Sequence, residues 1–401
     1  MICVGIDVAK EKSMVCILKP YGEILERPYE IAHTEKDVQE LIQKLKGLEG
    51  DVRVVMEATG IYHLPLLSSL KQEHFFVAVV NPLAMKRYAA SSIRKGKTDK
   101  LDAVKIANYG LDNWLKLKDY ETSDDVYDEL KFLGRQYYHY SRLAVEETLA
   151  LTNLMDRTMP GMKNMIKSKQ QARPTRDKLL DFVETFWHFD IITAQSQDEF
   201  VESYNAWAEA NGYRKNTAQA EKIYAAAVSG IPTLSSSRIS TQMLMQNSVK
   251  VLKELNKSLE EVLTHMQALA GTLPEYEMVK AMPGVGDVLA CKLIAEIGDV
   301  RRFKSSSSLV AYAGIDSPPD QSGSSRDANC GISKRGSSLL RKTGYELMIC
   351  LKSVKPQYDT AVYDFLLKKE AEGKPPKVAK IAAFNKFLRI YYARAMELYA
   401  D

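Results

Sequence analysis

Paired cysteines, long apolar runs and a one-sided charge are all missing from this chain of 401 residues. Its five cysteines, Cys3, Cys16, Cys291, Cys330 and Cys350, are scattered, odd in number and never in a C-x-x-C pair. That pattern excludes a disulfide framework and a zinc module, and it points to reduced thiols in a cytoplasmic protein. No apolar stretch is long enough to span a bilayer, so no membrane role is expected. Asp7 interrupts the first apolar run, which argues against a signal peptide. Basic and acidic residues nearly balance, 55 against 51, for a net charge of +4. So mild a total proves nothing about nucleic acid, and the distribution of charge carries that argument instead. Histidine is sparse, 6 in all, and absent beyond residue 276, which disfavours a Ser-His-Asp hydrolase there. No internal repeat at solenoid periods is evident.

The length suggests two or three domains, and an apolar fraction of 45% is ordinary for a packed core. Residues 1–118 read as alternating strands and helices. Apolar runs at Met1–Asp7, Ser13–Leu18 and Ile24–Ile31, with a turn signal at Pro20-Tyr21-Gly22-Glu23, predict an antiparallel meander. Val38, Leu41, Ile42 and Leu45 share one face of a helix beginning at Glu35. A strand over Val52–Glu57 follows, then a helix opening at Thr59-Gly60 and running through Leu70, then a strand over Phe75–Val80 ended by Asn81-Pro82. The order β-β-β-α-β-α-β-α is that of a ribonuclease-H-like α/β fold.

Residues 119–275 lose the strand signals. Val126, Leu130, Leu133, Tyr137, Tyr140, Ala144, Leu151 and Leu154 form a heptad seam, and Leu255, Leu259, Val262, Met266 and Leu269 form another. Two such helices predict a coiled-coil arm, folded back or paired with another chain, or the core of a simple helical bundle. Residues 276–401 form a third, mostly α unit. Pro283-Gly284-Val285-Gly286 leads into a helix over Val288–Ile297, and a polar Gly/Ser/Pro loop spans Asp316–Gly336 before helical sequence resumes at Ser338.

Two groups of residues carry candidate chemistry. Asp7 and Glu57 end two apolar strands that this order makes neighbours at the sheet centre, so their carboxylates can project from one edge. A carboxylate at the end of a hydrophobic strand is expensive unless its charge is compensated, and a divalent cation is the usual compensation. Asp99 and Asp102 stand three apart at a helix start that Thr98 can cap. Alone they read as capping and dipole residues. Joined to Asp7 and Glu57 they make four oxygen ligands, the donor set that two magnesium ions need to grip a phosphodiester. Lys86, Arg87, Arg94, Lys95, Lys97, Lys100 and Lys105 surround them, either as a solvated helix face or as a phosphate-binding surface.

In the third unit, the glycines Gly284 and Gly286 before a helix resemble a helix-hairpin-helix element, where backbone N–H groups approach a phosphate. Ser322, beside Gly323 on the polar loop, is followed by Arg326, Lys334, Arg335, Arg341 and Lys342. A serine so placed is either part of a flexible surface loop or a nucleophile toward phosphorus, with the cations stabilising charge on the phosphorane.

These motifs resemble the transposases of insertion-sequence family 110, whose relatives include a pilin-gene invertase. The resemblance rests on Gly5-Ile6-Asp7-Val8-Ala9-Lys10, Glu57-Ala58-Thr59-Gly60, Lys97-Thr98-Asp99 with Asp102, Pro283-Gly284-Val285-Gly286, Ala311-Tyr312-Ala313-Gly314, Ser322-Gly323, Gly331-Ile332-Ser333-Lys334-Arg335-Gly336, Leu340-Arg341 and Gly373-Lys374-Pro375. It implies a RuvC-like domain with a D-E-D-D metal site on Asp7, Glu57, Asp99 and Asp102, holding Mg2+. It implies further a C-terminal transposase domain whose serine, Ser322 by motif, forms a covalent phosphoserine link to DNA. Gln321 stands where the family often has a first serine, which keeps Ser324 and Ser325 as alternatives. Donor and target DNA, a structured noncoding bridge RNA that pairs with both, and assembly as homodimers or homotetramers are implied in the same way. Lys95, Lys97, Gly284, Gly286, Arg326, Lys334, Arg335 and Arg341 are the candidate nucleic-acid contacts. The competing expectations are an invertase with the same chemistry, a Holliday-junction-type metal nuclease that needs the acids but not Ser322, and a nonenzymatic binding scaffold.

Overall fold

Short apolar runs rich in valine and isoleucine build a five-stranded sheet at the start of the chain, in a computed structural model that describes residues 1–58, 60–90, 98–120, 125–166, 177–317, 321–322, 325–326 and 331–400. The first of its two units, Met1–Thr122, contains β1 (Ile2–Val8), β2 (Lys12–Leu18), β3 (Ile24–Ala32), α1 (Glu35–Lys46), β4 (Val52–Glu57), α2 (Leu64–Gln72), β5 (Phe76–Val80), α3 (Pro82–Ala90) and α4 (Asp99–Asp112). The strand order is β3-β2-β1-β4-β5. The first three strands pair antiparallel, and β4 and β5 add on in parallel. This is the expected mixed sheet.

Side chains alternate across the sheet, so each strand feeds two cores. Ile2, Val4 and Ile6 pack with Val54 and Met56 against Leu41 and Ile42 of α1 and Leu66, Leu67 and Leu70 of α2. Cys3, Val55 and Ala78 face the other way, toward Met85, Ile106 and Trp114. A Cβ at Gly5 would meet Ala103 O and Ala107 N of α4 at 2.4 Å each, so glycine is what lets that helix lie directly on β1. One expected boundary moves. The helix after Glu57 begins at Leu64, not at Gly60, because Gly60 takes a left-handed φ of 54° and the chain turns through His63 before Pro65 settles into the first helical turn.

The second unit, Ser123–Asp401, is almost entirely helical. It contains α5 (Asp125–Thr158), α6 (Met162–Met165), α7 (Lys178–Thr185), α8 (Phe189–Thr193), α9 (Gln197–Ala210), α10 (Thr217–Ser229), α11 (Ile239–Ala270), α12 (Glu275–Ala281), α13 (Asp287–Ile297), α14 (Ser306–Ala313), the two-residue strands β6 (Gln321–Ser322) and β7 (Ser325–Arg326), α15 (Ser338–Val354), α16 (Ala361–Ala371) and α17 (Pro376–Glu397). The seam-bearing helices α5 and α11 pack on each other within one chain. They run antiparallel: His265 lies 3.4 Å from Glu129 near one end, and Thr158 Oγ1 lies 3.9 Å from Met245 Sδ near the other.

The long helices α5 and α11 serve two cores at once. Leu151 and Met155 of α5 join Met245, Val249 and Leu252 of α11 around Phe182, Phe200, Tyr204 and Trp207. Tyr127 and Leu130 of α5 and Met266 of α11 belong instead with Ile294, Leu347, Phe384 and Phe387.

A buried carboxylate closes that second core. Glu275, 0% exposed, accepts hydrogen bonds from Tyr127 Oη and Tyr399 Oη, both at 2.6 Å. The two hydroxyls are themselves 2.9 Å apart. Burial, then the bond to Glu275, pushes the Tyr399 hydroxyl up to about 12. The trio ties the start of α5 and the start of α12 to the chain's end. Glu275→Ala leaves the buried Tyr127 and the part-buried Tyr399 hydroxyls without their acceptor and opens a small void, and it should destabilise the second unit by about 3 kcal/mol. A denaturant midpoint equal to that of the wild type would refute this role.

Candidate active site

Register places the first two acids. Ile6 pairs with Met56 in the parallel β1/β4 ladder, so Asp7 and Glu57, one residue on in each strand, stand abreast at the carboxyl ends of adjacent central strands. They belong to the face on which α4 lies, because Cys3 and Gly5 of that face touch α4. Along β1, Cys3 meets Gly110 near the helix C-terminus and Gly5 meets Ala103 and Ala107 further back. The helix therefore runs opposite to the strand, and its N-terminal turn, with Asp99 and Asp102, points to the edge that carries Asp7 and Glu57. Thr98 caps this turn, its Oγ1 accepting from Leu101 N at 3.3 Å. Thus three elements bring the four sequence-predicted acids to one sheet edge.

The electrostatics have a clear sign. Burial pushes the Glu57 carboxyl up, and the Asp102 charge pushes it further the same way. Asp102 is held by Lys105 Nζ at 2.7 Å, a partner that the sequence reading took only as part of a basic surround. Asp99 lies close enough for its charge to act on Lys12, after the larger influence of Glu30. Among the described residues, no three Asp, Glu, His or Cys side chains stand close enough together to hold one ion. The donor type and the repulsion between Glu57 and Asp102 nevertheless suit a divalent cation. Asp7, Glu57, Asp99 and Asp102 are the residues that would hold it, and it would supply charge neutralisation for a phosphodiester.

Proton competition follows from that repulsion. A raised Glu57 value means that the proton and the cation contend for the same oxygen, so cation affinity should rise with pH through the shifted range and then level off. Calorimetric titration with Mg2+ at about pH 5 and about pH 7 should show proton release at the lower value only. Equal proton release at both would remove Glu57 from the binding set.

The C-terminal candidates fall into several situations. Ser322 pairs with Ser325, and Gln321 with Arg326, in an antiparallel ladder within the expected polar loop; Gly323 and Ser324 lie outside the described residues. The side chains of Ser322 and Arg326, and Lys95 and Lys97 entirely, also lie outside them. Lys334 and Arg335 are exposed. The segment bearing them is strapped to the end of α14: Ser333 N donates to Asp316 O at 2.8 Å, Lys334 N to Gly314 O at 3.0 Å and Ser337 N to Tyr312 O at 2.7 Å. Arg341 is half-buried and serves that strap, its Nη1 donating to Ala313 O at 3.0 Å and Gly336 O at 3.1 Å. Gly284, at φ 82°, packs on the backbone of Leu351, where a Cβ would meet Leu351 Cα at 2.8 Å. Gly286 is open and exposed at the N-terminus of α13.

One residue beneath the strap escaped the sequence reading. Glu296, 5% exposed, accepts from Ser337 Oγ at 2.7 Å, and Ser337 Oγ in turn caps α15 through Leu340 N at 3.1 Å. The available signal was a lone acid near the end of the otherwise apolar run Leu293–Ile297.

Two stretches of the chain match known protein families. Residues 4–160 match a family described as "Transposase", of the D-E-D-D insertion-sequence 110 type, and residues 276–363 match the "Transposase IS116/IS110/IS902 family". The class is therefore a transposase. More particularly, the chain belongs to the IS110 family of insertion-sequence transposases and invertases. It is 23% identical over 393 residues to the pilin gene-inverting protein of Moraxella bovis, covering 97% of this chain and 94% of that one. It is 23% identical over 327 residues to the insertion element IS110 uncharacterized 43.6 kDa protein of Streptomyces coelicolor, covering 81% and 78% of the two chains. A segment of 76 residues, 19% of this chain and 21% of the other, is 34% identical to the transposase for insertion sequence element IS1111A of Coxiella burnetii. The family implies DNA cleavage and rejoining, and the D-E-D-D domain suggests a divalent metal. No helix among the described residues is long and apolar enough to cross a membrane.

Proposed function

We propose that this protein cuts and rejoins DNA as the recombinase of a mobile or invertible element, through a serine ester. The observation that carries this reading is the arrival of Asp7, Glu57 and the first turn of α4 at one sheet edge, in a chain whose C-terminal part bears a serine hairpin followed by exposed Lys334 and Arg335.

In this reading Asp7, Glu57, Asp99 and Asp102 hold Mg2+, which supplies charge neutralisation at the scissile phosphate. The Ser322 hydroxyl attacks phosphorus. A Ser322 Oγ–P bond forms, the P–O bond to one deoxyribose breaks, and the departing sugar oxygen takes up the proton that serine gives up. Lys334, Arg335 and Arg326 stabilise the added charge on the phosphorane. In the second half a strand hydroxyl attacks the phosphoserine, restoring serine and joining DNA, so the bond energy is conserved and no external energy source is needed. Lys95, Lys97 and the exposed Gly286 turn hold phosphates on either side. A structured bridge RNA that pairs with donor and target DNA would select the sites, and a homodimer or homotetramer would let one subunit's serine serve another subunit's acids. The motif resemblance supplies the support for these last two points.

The test incubates the purified protein with Mg2+, DNA carrying the element's ends and the flanking noncoding RNA, then isolates covalent protein–DNA adducts and maps the linked residue. An adduct on Ser322 that depends on the RNA is the expected result. Hydroxyl-ended strand breaks without any adduct would point to a metal nuclease instead.

A further inference from the structure

The thirteen residues that follow Glu57, Ala58 through Leu70, carry no charged side chain. Leu66, Leu67 and Leu70 account for themselves by burial in the core. The beginning of the segment does not: Ile61 is 71% exposed, Tyr62 37% and Leu64 44%. A single exposed leucine needs no explanation, but three large apolar side chains within four residues do. Leu83, at the exit of the neighbouring strand β5, adds a fourth at 48%.

This turn is held in place. Ala58 N donates to Val80 O at 3.0 Å, which extends the β4/β5 pairing one residue past Glu57. Leu64 N donates to Ile61 O at 3.1 Å and Leu67 N to His63 O at 2.9 Å, so the turn runs without a break into α2. His63 is buried beneath it. The Tyr62 ring stands close over Gly60, whose Cβ position lies 3.9 Å from the ring carbons. Ile61 and Tyr62 are thus presented to solvent on a braced tip four and five residues beyond a site carboxylate. The next two helices in the chain carry exposed cations, Lys86 and Arg87 on α3 and Lys100 on α4. Cations suit phosphates; an uncharged, partly aromatic tip suits what lies between phosphates, the faces of bases.

We infer that Ile61 and Tyr62 form a base-stacking wedge, which enters the DNA beside the scissile phosphate, unstacks one base step and turns that phosphate toward the acidic edge. Apolar side chains driven between bases pay for unstacking with new stacking contact and kink the duplex. The inference rests on the reading of Asp7, Glu57, Asp99 and Asp102 as the cleavage site.

Two readouts test it separately from that reading. The first places 2-aminopurine at successive positions around the mapped cleavage phosphate and follows its fluorescence on binding to the Glu57→Gln protein. Fluorescence should rise at one step, and adding Ile61→Ser and Tyr62→Ala should abolish the rise. The second measures cleavage with Glu57 intact. The Ile61→Ser/Tyr62→Ala protein should cut fully paired DNA about 10-fold to 100-fold more slowly than wild type. It should return to within about threefold of wild type on DNA already unpaired at that step, since the unstacking has then been done beforehand. Both substitutions are at exposed positions, so the melting temperature should stay unchanged and confirm a folded protein. An unchanged fluorescence rise in the triple variant, or slow cleavage that pre-unpaired DNA does not rescue, overturns the wedge. So does a change of sedimentation coefficient with the fluorescence rise intact, which assigns the tip to contact between copies of this chain. Wild-type cleavage by Glu57→Gln alone would instead sink the metal-site reading, while the fluorescence result would still judge the wedge.

Discussion

Ser322→Ala should lower covalent protein–DNA adducts by more than about 1,000-fold, because no neighbouring group can replace a nucleophile that forms the bond itself. The hairpin is the reason for expecting so large an effect at this position. Ser322 pairs with Ser325 across the β6/β7 ladder, so its backbone has a defined partner that a loose loop would lack. DNA binding should persist, since the cations Lys334 and Arg335 lie on a separate strap anchored through Ser333, Lys334 and Ser337 to the end of α14. Adduct yield is read on denaturing gels with labelled DNA, and binding by filter retention on the same samples. Wild-type adduct levels from Ser322→Ala, with the linkage mapped to Ser324 or Ser325, would reassign the nucleophile within the hairpin.

Glu57→Gln and Asp102→Asn should each cut strand cleavage by more than about 100-fold, as expected when an oxygen ligand loses its charge. The same two changes should leave the fold intact, and Glu57→Gln should raise its stability slightly at neutral pH. The sign follows from the upward displacement of the Glu57 carboxyl by burial and by Asp102. A carboxyl raised in the folded state binds its proton more tightly there than in the unfolded chain. The charged form is therefore a destabilising element above the shifted value, and the penalty disappears as pH falls below the ordinary value of 4.5. The glutamine variant should melt above wild type near neutrality and at the same temperature in acid, and added Mg2+ should stabilise wild type alone. Loss of stability together with loss of cleavage would make Glu57 a structural residue. That combination of higher stability and lower activity is what a site with neighbouring like charges predicts.

The side-by-side placement of Asp7 and Glu57 was legible in the sequence, for a physical reason. Period-two alternation identifies strands and the face of each residue, and a three-strand meander followed by β4 brings Asp7 and Glu57 to adjacent strand ends. The approach of Asp99 and Asp102 was not legible in that way. It depends on α4 lying flat on β1, which Gly5 and Gly110 permit, and nothing in the spacing of Asp99 and Asp102 names that partner. The pairing of Asp102 with Lys105 was hidden for the same reason, since the lysine read equally well as a solvated charge. In the second unit the heptad seams showed that α5 and α11 each have an apolar face. A seam does not say what covers it, and only the folded chain decided that the two cover each other, antiparallel, while also feeding two cores.

The glycines and cations of the C-terminal part show the limit most clearly. Gly284 read as a residue that lets a phosphate approach, yet its close neighbour is the backbone of Leu351. Arg341 read as a phosphate contact, yet its Nη1 serves the carbonyls of Ala313 and Gly336.

By itself the sequence determined the strands, the seams and the kinds of side chain available for chemistry, because these follow from local periodicity and residue type, and its motifs carried the family resemblance. Tertiary structure alone decided the helix that joins Asp102 to Glu57, the strap that carries Lys334 and Arg335, and the exposure of Ile61 and Tyr62. Each of those depends on which surfaces meet, and close packing between segments distant in the chain is set by shapes that no local pattern encodes.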